Sequence, residues 1–340
     1  MSKKSERRLR ARLKELRSIP PSELEKYHPQ KEAQEAEQKT SSGGFENMLK
    51  RFYLKNYKKL LIIPALLLVL ALLQIGMQMA STGDYLTKGV SLKGGITISI
   101  PNSQYNPLEL ETYLRENFKK ADLAVRSLSS AGTQTGLTIE ADFTDTEQVK
   151  NFQNLIEKKL GIPKDGYSTE IIGSALGESF FKETIIALIV AFLFMGVVVF
   201  LYFRLPVPSG IVILCAFADI IMTVAATNIF GIKVSTAGIA AFLMLVGYSV
   251  DTDILLTARV LKRKEGSVID CMFDAMKTGM TMTMTTIAAA AVALIFSKSE
   301  VLSQIMMILL FGLIADMINT WIQNTGLLMI YLEKRGELPK

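Results

Sequence analysis

From residue 60 onward, apolar residues run in long blocks separated by short polar turns. A bilayer-spanning helix needs about 20 mostly apolar residues. Six segments meet that length: Leu60–Ala80, Thr184–Phe203, Ser209–Ile229, Val234–Ala258, Met280–Phe296 and Leu302–Leu332. Residues 81–183 follow a different pattern. SLKGGITISI alternates like a strand, and NPLELETYLRENFKKA has helical spacing. DLAVRSLS and GLTIEADF read as two strands joined by AGTQTG. TDTEQVKNFQNLIEKKLG is a second helix, with Thr144 or Asp145 as its N-cap and Gly161 at its end. YSTEIIGSAL supplies a last strand. The order β-α-β-β-α-β is that of a ferredoxin-like sandwich. The expected fold is thus an α-helical membrane protein with six transmembrane helices and one α+β ferredoxin-like domain.

Charge orients this scheme. Residues 1–59 carry sixteen Lys/Arg against eight Asp/Glu, a surplus larger than the net charge of +6 for all 340 residues. The basic character therefore belongs to a tail, and no nucleic-acid surface is expected. The tail is expected to be partly disordered, with a short amphipathic helix marked by Leu9, Leu13 and Leu16. Basic residues next to a span favour the cytoplasmic side and anionic lipid. Arg204, Arg259, Lys262, Arg263, Lys264, Lys334 and Arg335 fall on that side, and the opposite turns carry Lys233 and Lys298. The expected topology has both termini in the cytoplasm of a multi-pass cell-membrane protein, with residues 81–183 extracytoplasmic. A TM2–TM6 bundle fills 184–332, and a short cytoplasmic end fills 333–340. Within the bundle, residues 259–279 form an expected cytoplasmic amphipathic loop, whose stripe of Ile269, Met272, Phe273 and Met276 suits an interfacial helix.

Cysteine and histidine usage excludes other chemistry. The two cysteines, Cys215 and Cys271, form no framework, and the one histidine, His28, lies in the tail. No metal site and no cofactor are expected. No phosphate-binding Gly-x-x-x-x-Gly-Lys motif occurs, which leaves no support for nucleotide hydrolysis.

The unusual residues are acids inside the apolar blocks. Asp219, Asp251, Asp253 and Asp316 all fall within spans, where a central Asp costs roughly 2.5–3.5 kcal/mol on insertion. At 100° per residue, Asp251 and Asp253 stand about 160° apart, so they cannot meet one partner. Thr281 and Thr285 share a face of the fifth span as neutral donors. Such groups either relay protons across the bilayer or hold helices together by hydrogen bonding. Both roles fit the sequence. An intramembrane aspartyl protease is disfavoured, since no Gly-x-Gly-Asp occurs.

Several motifs carry a resemblance. GVSLKGG (Gly89–Gly95, with Gly94 and Gly95) follows the first span, and IGSALGESF (Ile172–Phe180) precedes the second. FGIKVSTAGIAAFLMLVGYSVDTD, with Gly247, Tyr248 and Ser249, fills the fourth, and TMTMTT (Thr281–Thr286) opens the fifth. Over about residues 50–335 the chain resembles the SecF branch, archaeal type, of the SecD/SecF family of protein-export membrane proteins. The resemblance implies half of a resistance–nodulation–division (RND) type bundle, completed by SecD, and no enzymatic activity. It implies an auxiliary role in protein export with a SecY-type translocon, unfolded secretory protein segments and membrane lipids as further partners, and proton coupling as in bacterial relatives. The chain departs from the bacterial pattern: Val250-Asp251-Thr252-Asp253 replaces Asn-Asp-Thr, Ala218 replaces a histidine, and Thr278 stands where a basic residue opens the fifth helix. An alternative is one half of an RND-type exporter of lipids or small molecules.

Overall fold

A computed structural model describes residues 52–119, 121–130, 133–262, 267–297 and 299–337. From Tyr57 onward the chain forms one compact unit. The helix expected around Leu9–Leu16 and the character of residues 1–51 lie outside the described residues, as do Arg263, Lys264 and Lys298.

The six apolar blocks form six helices long and apolar enough to cross a membrane. The first is α1 (Ile62–Thr82), ended by Gly83 in the left-handed region at φ 78°. A short helix α2 (Val90–Lys93) then leads into the sheet. Strands β1 (Gly95–Pro101), β2 (Leu123–Ser130), β3 (Thr133–Ala141) and β4 (Ser168–Ile172) pair in the order β2-β3-β1-β4, every neighbour antiparallel. Helices α3 (Pro107–Asn117) and α4 (Thr146–Leu160) alternate with them. Period-two alternation explains the core. Ile96, Ile98 and Ile100 of β1 and Leu137 and Ile139 of β3 turn inward to meet Leu110 and Leu114 of α3 and Phe152 and Ile156 of α4. Each such side chain contributes roughly 1.5–3 kcal/mol on full burial. Asn106 caps α3 by accepting from the Leu108 amide, and Asp145, of the two sequence candidates, caps α4 by accepting from Gln148. Gly161 closes α4 in the left-handed region.

The remaining spans are α5 (Ser174–Phe203), α6 (Pro206–Ile229), α7 (Thr236–Leu261) and α8 (Val268–Phe296). The last span is α9 (Glu300–Ile318), a π-helical stretch Asn319–Asn324, and α10 (Thr325–Lys334). The middle two, α6 and α7, bury about half their length, whereas α1 and α5 are mostly exposed. Three expectations are corrected. The second membrane helix starts at Ser174 rather than Thr184, because GSALGESF continues the helix directly from the end of β4. Residues 259–279 are not one amphipathic loop: α7 extends to Leu261, and Val268 begins α8, which runs without a break into the span. Its stripe packs against the protein, with Met272 and Phe273 buried and Ile269 and Met276 half-buried. The sixth span is interrupted by the π stretch, where a continuous α-helix was expected.

The two glycine motifs flanking the sheet domain pack against each other. Gly94 (φ 87°) has the Ser174 Cα 2.5 Å from where a Cβ would stand, and a Cβ on Gly177 would lie 2.6 Å from the Gly94 nitrogen. Gly95 (φ 139°) faces the Ala141 carbonyl at 2.3 Å in the same sense. These glycines let α2, β1 and α5 meet with backbones in contact. Outside the bundle, Asp122 joins the sheet to two other elements through Lys93 of α2 (3.1 Å) and Lys233 of the α6–α7 turn (3.0 Å). Burial alone would push the Asp122 carboxyl up, but Lys233 and Lys93 outweigh it and hold it below the ordinary carboxylate range.

Gly94→Ala combines a left-handed backbone with a backbone clash. It should cost more than the roughly 1–3 kcal/mol of a strained φ alone, seen as a lower melting temperature or loss of folded protein. Gly76→Ala, with open space around it in α1, should be neutral or slightly stabilising. The depressed Asp122 value makes its pairing complete above the ordinary carboxylate value of 3.8 and lost as pH falls through the lower folded value. Thermal melting between about pH 5 and about pH 3 should therefore drop further in the parent chain than in Asp122→Asn.

Candidate functional site

Three of the four intramembrane acids converge. Asp219 of α6, Asp253 of α7 and Asp316 of α9 are all fully buried. Asp219 accepts from the Ser249 hydroxyl (2.5 Å) and from the Asn319 amide (2.6 Å). Asp253 Oδ1 accepts from Asn324 (2.6 Å) and from Thr320 (3.0 Å). Asp316 Oδ1 lies 2.9 Å from the Thr320 hydroxyl and 3.0 Å from that of Thr252. Three helices are thereby cross-linked through hydroxyls and amides. Among the described residues no Lys or Arg is buried, so no cation within them balances the acids.

Proton counting constrains this network. A threonine hydroxyl has one proton to give, yet that of Thr320 touches both Asp253 and Asp316, and that of Thr252 touches Asp316 and the Ser249 carbonyl (2.8 Å). Asp253 Oδ2, Asn319 Oδ1 and Asn324 Oδ1 are buried acceptors that take no donor within the described residues. The site thus has more acceptors than the hydroxyl and amide protons of the described residues can satisfy.

Local sequence explains the convergence. Asp316, Thr320 and Asn324 recur every four residues, a spacing at which an α-helix drifts about 40° each step. The wider π turn over Asn319–Asn324 underwinds the chain and offsets that drift, which keeps Asn324 in reach of Asp253. Close packing brings the helices together. A Cβ on Gly279 of α8 would stand 2.4 Å from the Trp321 ring, and one on Gly312 of α9 would stand 2.4 Å from the Leu245 side chain.

Other candidates are placed elsewhere. Asp251 is exposed on the far side of α7, as the 160° separation requires once Asp253 faces inward. Thr281 and Thr285 are also exposed, and their hydroxyls donate to the Lys277 and Met282 carbonyls of their own helix. Tyr248 is 42% exposed, and nothing lies within 4 Å of where a Gly247 Cβ would stand. Of the GYS motif only Ser249 enters the network. Gly94 and Gly95 serve the domain junction. Thr252, Asn319, Thr320 and Asn324 complete the network without standing out individually in the sequence. The signal available was a polar stripe at helical spacing (316, 319, 320, 324) inside an apolar span.

Thr320→Val removes hydroxyl contacts to two buried acids. It should destabilise the purified protein by about 1–3 kcal/mol, whereas Thr281→Val should stay within about 0.5 kcal/mol. Denaturation of both variants in the same detergent gives the comparison, and equal effects would contradict the placement of the network.

Known proteins share this architecture. The family model for the C-terminal part of protein-export membrane proteins SecD and SecF matches residues 153–334. The protein-export membrane protein SecF of Pyrococcus furiosus is 39% identical over 280 residues, covering 82% of this chain and 92% of that protein. That of Methanocaldococcus jannaschii is 40% identical over 284 residues, covering 82% and 97%. The crystal structure of SecDF, a translocon-associated membrane protein from Thermus thermophilus, is similar with a TM-score of 0.66 at 17% identity. The match covers 83% of this chain and 38% of that longer one, and it shows a shared fold. With the family model spanning more than half of its length and such relatives over most of it, the chain belongs to the SecD/SecF family of protein-export membrane proteins.

Proposed function

We propose that this chain is an auxiliary subunit of the Sec protein-export machinery, acting with SecD to promote translocation of secreted proteins across the cytoplasmic membrane. Its relatives carry the name SecF, and the similar structure is of a translocon-associated SecDF. The observation that carries the mechanism is the buried network of Asp219, Asp253 and Asp316, unbalanced by any buried cation among the described residues. The network takes up and releases hydrogen ions as they cross the bilayer. One charge moved through the field is worth about 2.3 kcal/mol per 100 mV, enough to bias a modest rearrangement of the helices that bear the sheet domain.

SecD supplies the second six-helix half. Polar and small residues left on the outside of α7 and α8, among them Gly247, Tyr248, Asp251, Thr281 and Thr285, support this partner, because an unpaired acid facing lipid is costly. The flanks of α1 and α10 are on the cytoplasmic side, supported by Lys58, Lys59, Lys334 and Arg335. The sheet domain then stands outside, where a SecY-type translocon delivers unfolded secretory segments.

Asp253→Asn is expected to leave SecD co-purification intact and to slow export of a secreted reporter in cells by tenfold or more. Asp251→Leu is expected instead to alter SecD co-purification. Export at the parental rate in Asp253→Asn would remove the coupling role.

A further inference from the structure

The end of the bundle nearest the sheet holds a half-buried amide, Gln304 of α9, that the acid network does not use. Its Nε2 donates to the Lys233 carbonyl at 2.6 Å. Its Oε1 accepts from the Ser235 amide at 3.2 Å and from the Ser235 hydroxyl. A glutamine side chain offers both a donor and an acceptor, and here the α6–α7 turn engages both. Among the described residues, Gln304 supplies the polar contacts between α9 and that turn. A Cβ on Gly238 would stand 3.1 Å from the Gln304 oxygen and 3.0 Å from Ile308, so a glycine there lets α9 come this close.

The same turn grips the approach to the sheet from its other side. The Val234 amide donates to the Thr87 carbonyl and the Val234 carbonyl accepts from Gly89, each at 2.8 Å. The Thr236 amide, first of α7, donates to the Ser91 hydroxyl of α2 at 3.1 Å. Lys233 reaches Asp122 at 3.0 Å. Toward α9 the turn has two kinds of contact. Ile308 and Val234 belong to one apolar cluster, but apolar contact is non-directional and lets two surfaces slide. The Gln304 amide is directional, and it sets the register of α9 against the turn.

Helices α7 and α9 meet again in the acid network, where the Thr252 hydroxyl lies 3.0 Å from Asp316. Gln304 and Asp316 belong to one unbroken helix, separated by about 18 Å at a rise of 1.5 Å per residue. We propose that Gln304 is a positioning residue, the pin through which a shift of α9 at Asp316 carries the α6–α7 turn and, with it, the sheet domain. The inference rests on the coupling role proposed above. Gln304 takes up no hydrogen ion, because its bonds go to the turn and to none of the acids. Without the pin, Ile308 slides past Val234 and the sheet stays behind.

The test measures the distance between sheet and bundle in the full chain, held in lipid nanodiscs. Spin labels go on Lys150→Cys of α4 and Val292→Cys of α8, both exposed positions, with Cys271→Ser removing the half-buried thiol. Asp316→Asn, a fixed neutral form of the acid, is expected to move the inter-label distance by about 2 Å. In a Gln304→Met background the same Asp316→Asn step should give less than half that shift. Gln304→Asn keeps the amide but ends one methylene short, and it gives the same loss should the methionine variant fail to fold. Each shift is read within one background, so a general loss of stability cancels. A capping role alone lowers the melting temperature and leaves the shift at full size, which overturns the pin while the coupling role stands. No shift on Asp316→Asn in the parent chain removes the coupling role and the pin together.

Discussion

Buried carboxyl groups in a bilayer demand partners, and the bundle is arranged to meet that demand. With no water in the hydrocarbon region, each polar group has to be satisfied from within the protein. Asp219, Asp253 and Asp316 sit on three different spans, and each needs donors from another helix. The donors come mainly from one element, the π stretch and its flanks, which present Asn319, Thr320 and Asn324. Removing this local widening would rotate Asn324 away from Asp253 and leave a buried acid underserved. The site and the sixth span are therefore one structural problem with one solution.

The same network links the membrane to the sheet domain. Helix α7 bears Ser249, Thr252 and Asp253 and is capped by Ser235, whose hydroxyl bonds the Gln304 side chain of α9. Immediately before it, Val234 exchanges backbone hydrogen bonds with Thr87 and Gly89 at 2.8 Å, and Lys233 holds Asp122. Residues 87–95 then enter β1 directly. A shift of α7 that re-pairs its acids thus meets the sheet through a chain of polar contacts, while the backbone contact at Gly94 and Gly177 fixes the start of α5. Packed elements with two arrangements can transmit such a shift; a chain of contacts alone establishes only the route.

Much of the fold was legible in the sequence. Long apolar blocks specify membrane helices because length and hydropathy are local properties, and the β-α-β-β-α-β order specifies the antiparallel sheet that is observed. Asp145 and Gly161 were legible as caps because capping chemistry is local too. Three features were not. The start of α5 at Ser174 was hidden because GSALGES is short and polar enough to pass for strand and turn. The burial of Met272 and Phe273 depends on what packs over them, which an amphipathic stripe does not state. The π stretch has no strong local signature, since Asn and Thr are poor helix formers in any register.

The acids show where sequence reasoning stops. Helical geometry required Asp251 and Asp253 to face apart, yet it offered no choice between them. The choice is made by the π stretch after α9, about seventy residues later, whose Thr320 and Asn324 reach Asp253. Asp251 is then left on an outer face together with Tyr248 and near-featureless Gly247. A small residue beside an acid on one outer helix face is the kind of surface that close helix approach and polar pairing use in a bilayer. The two aspartates of one helix thus differ in surroundings: one joins the chain's own network, and the other is exposed on the outer face.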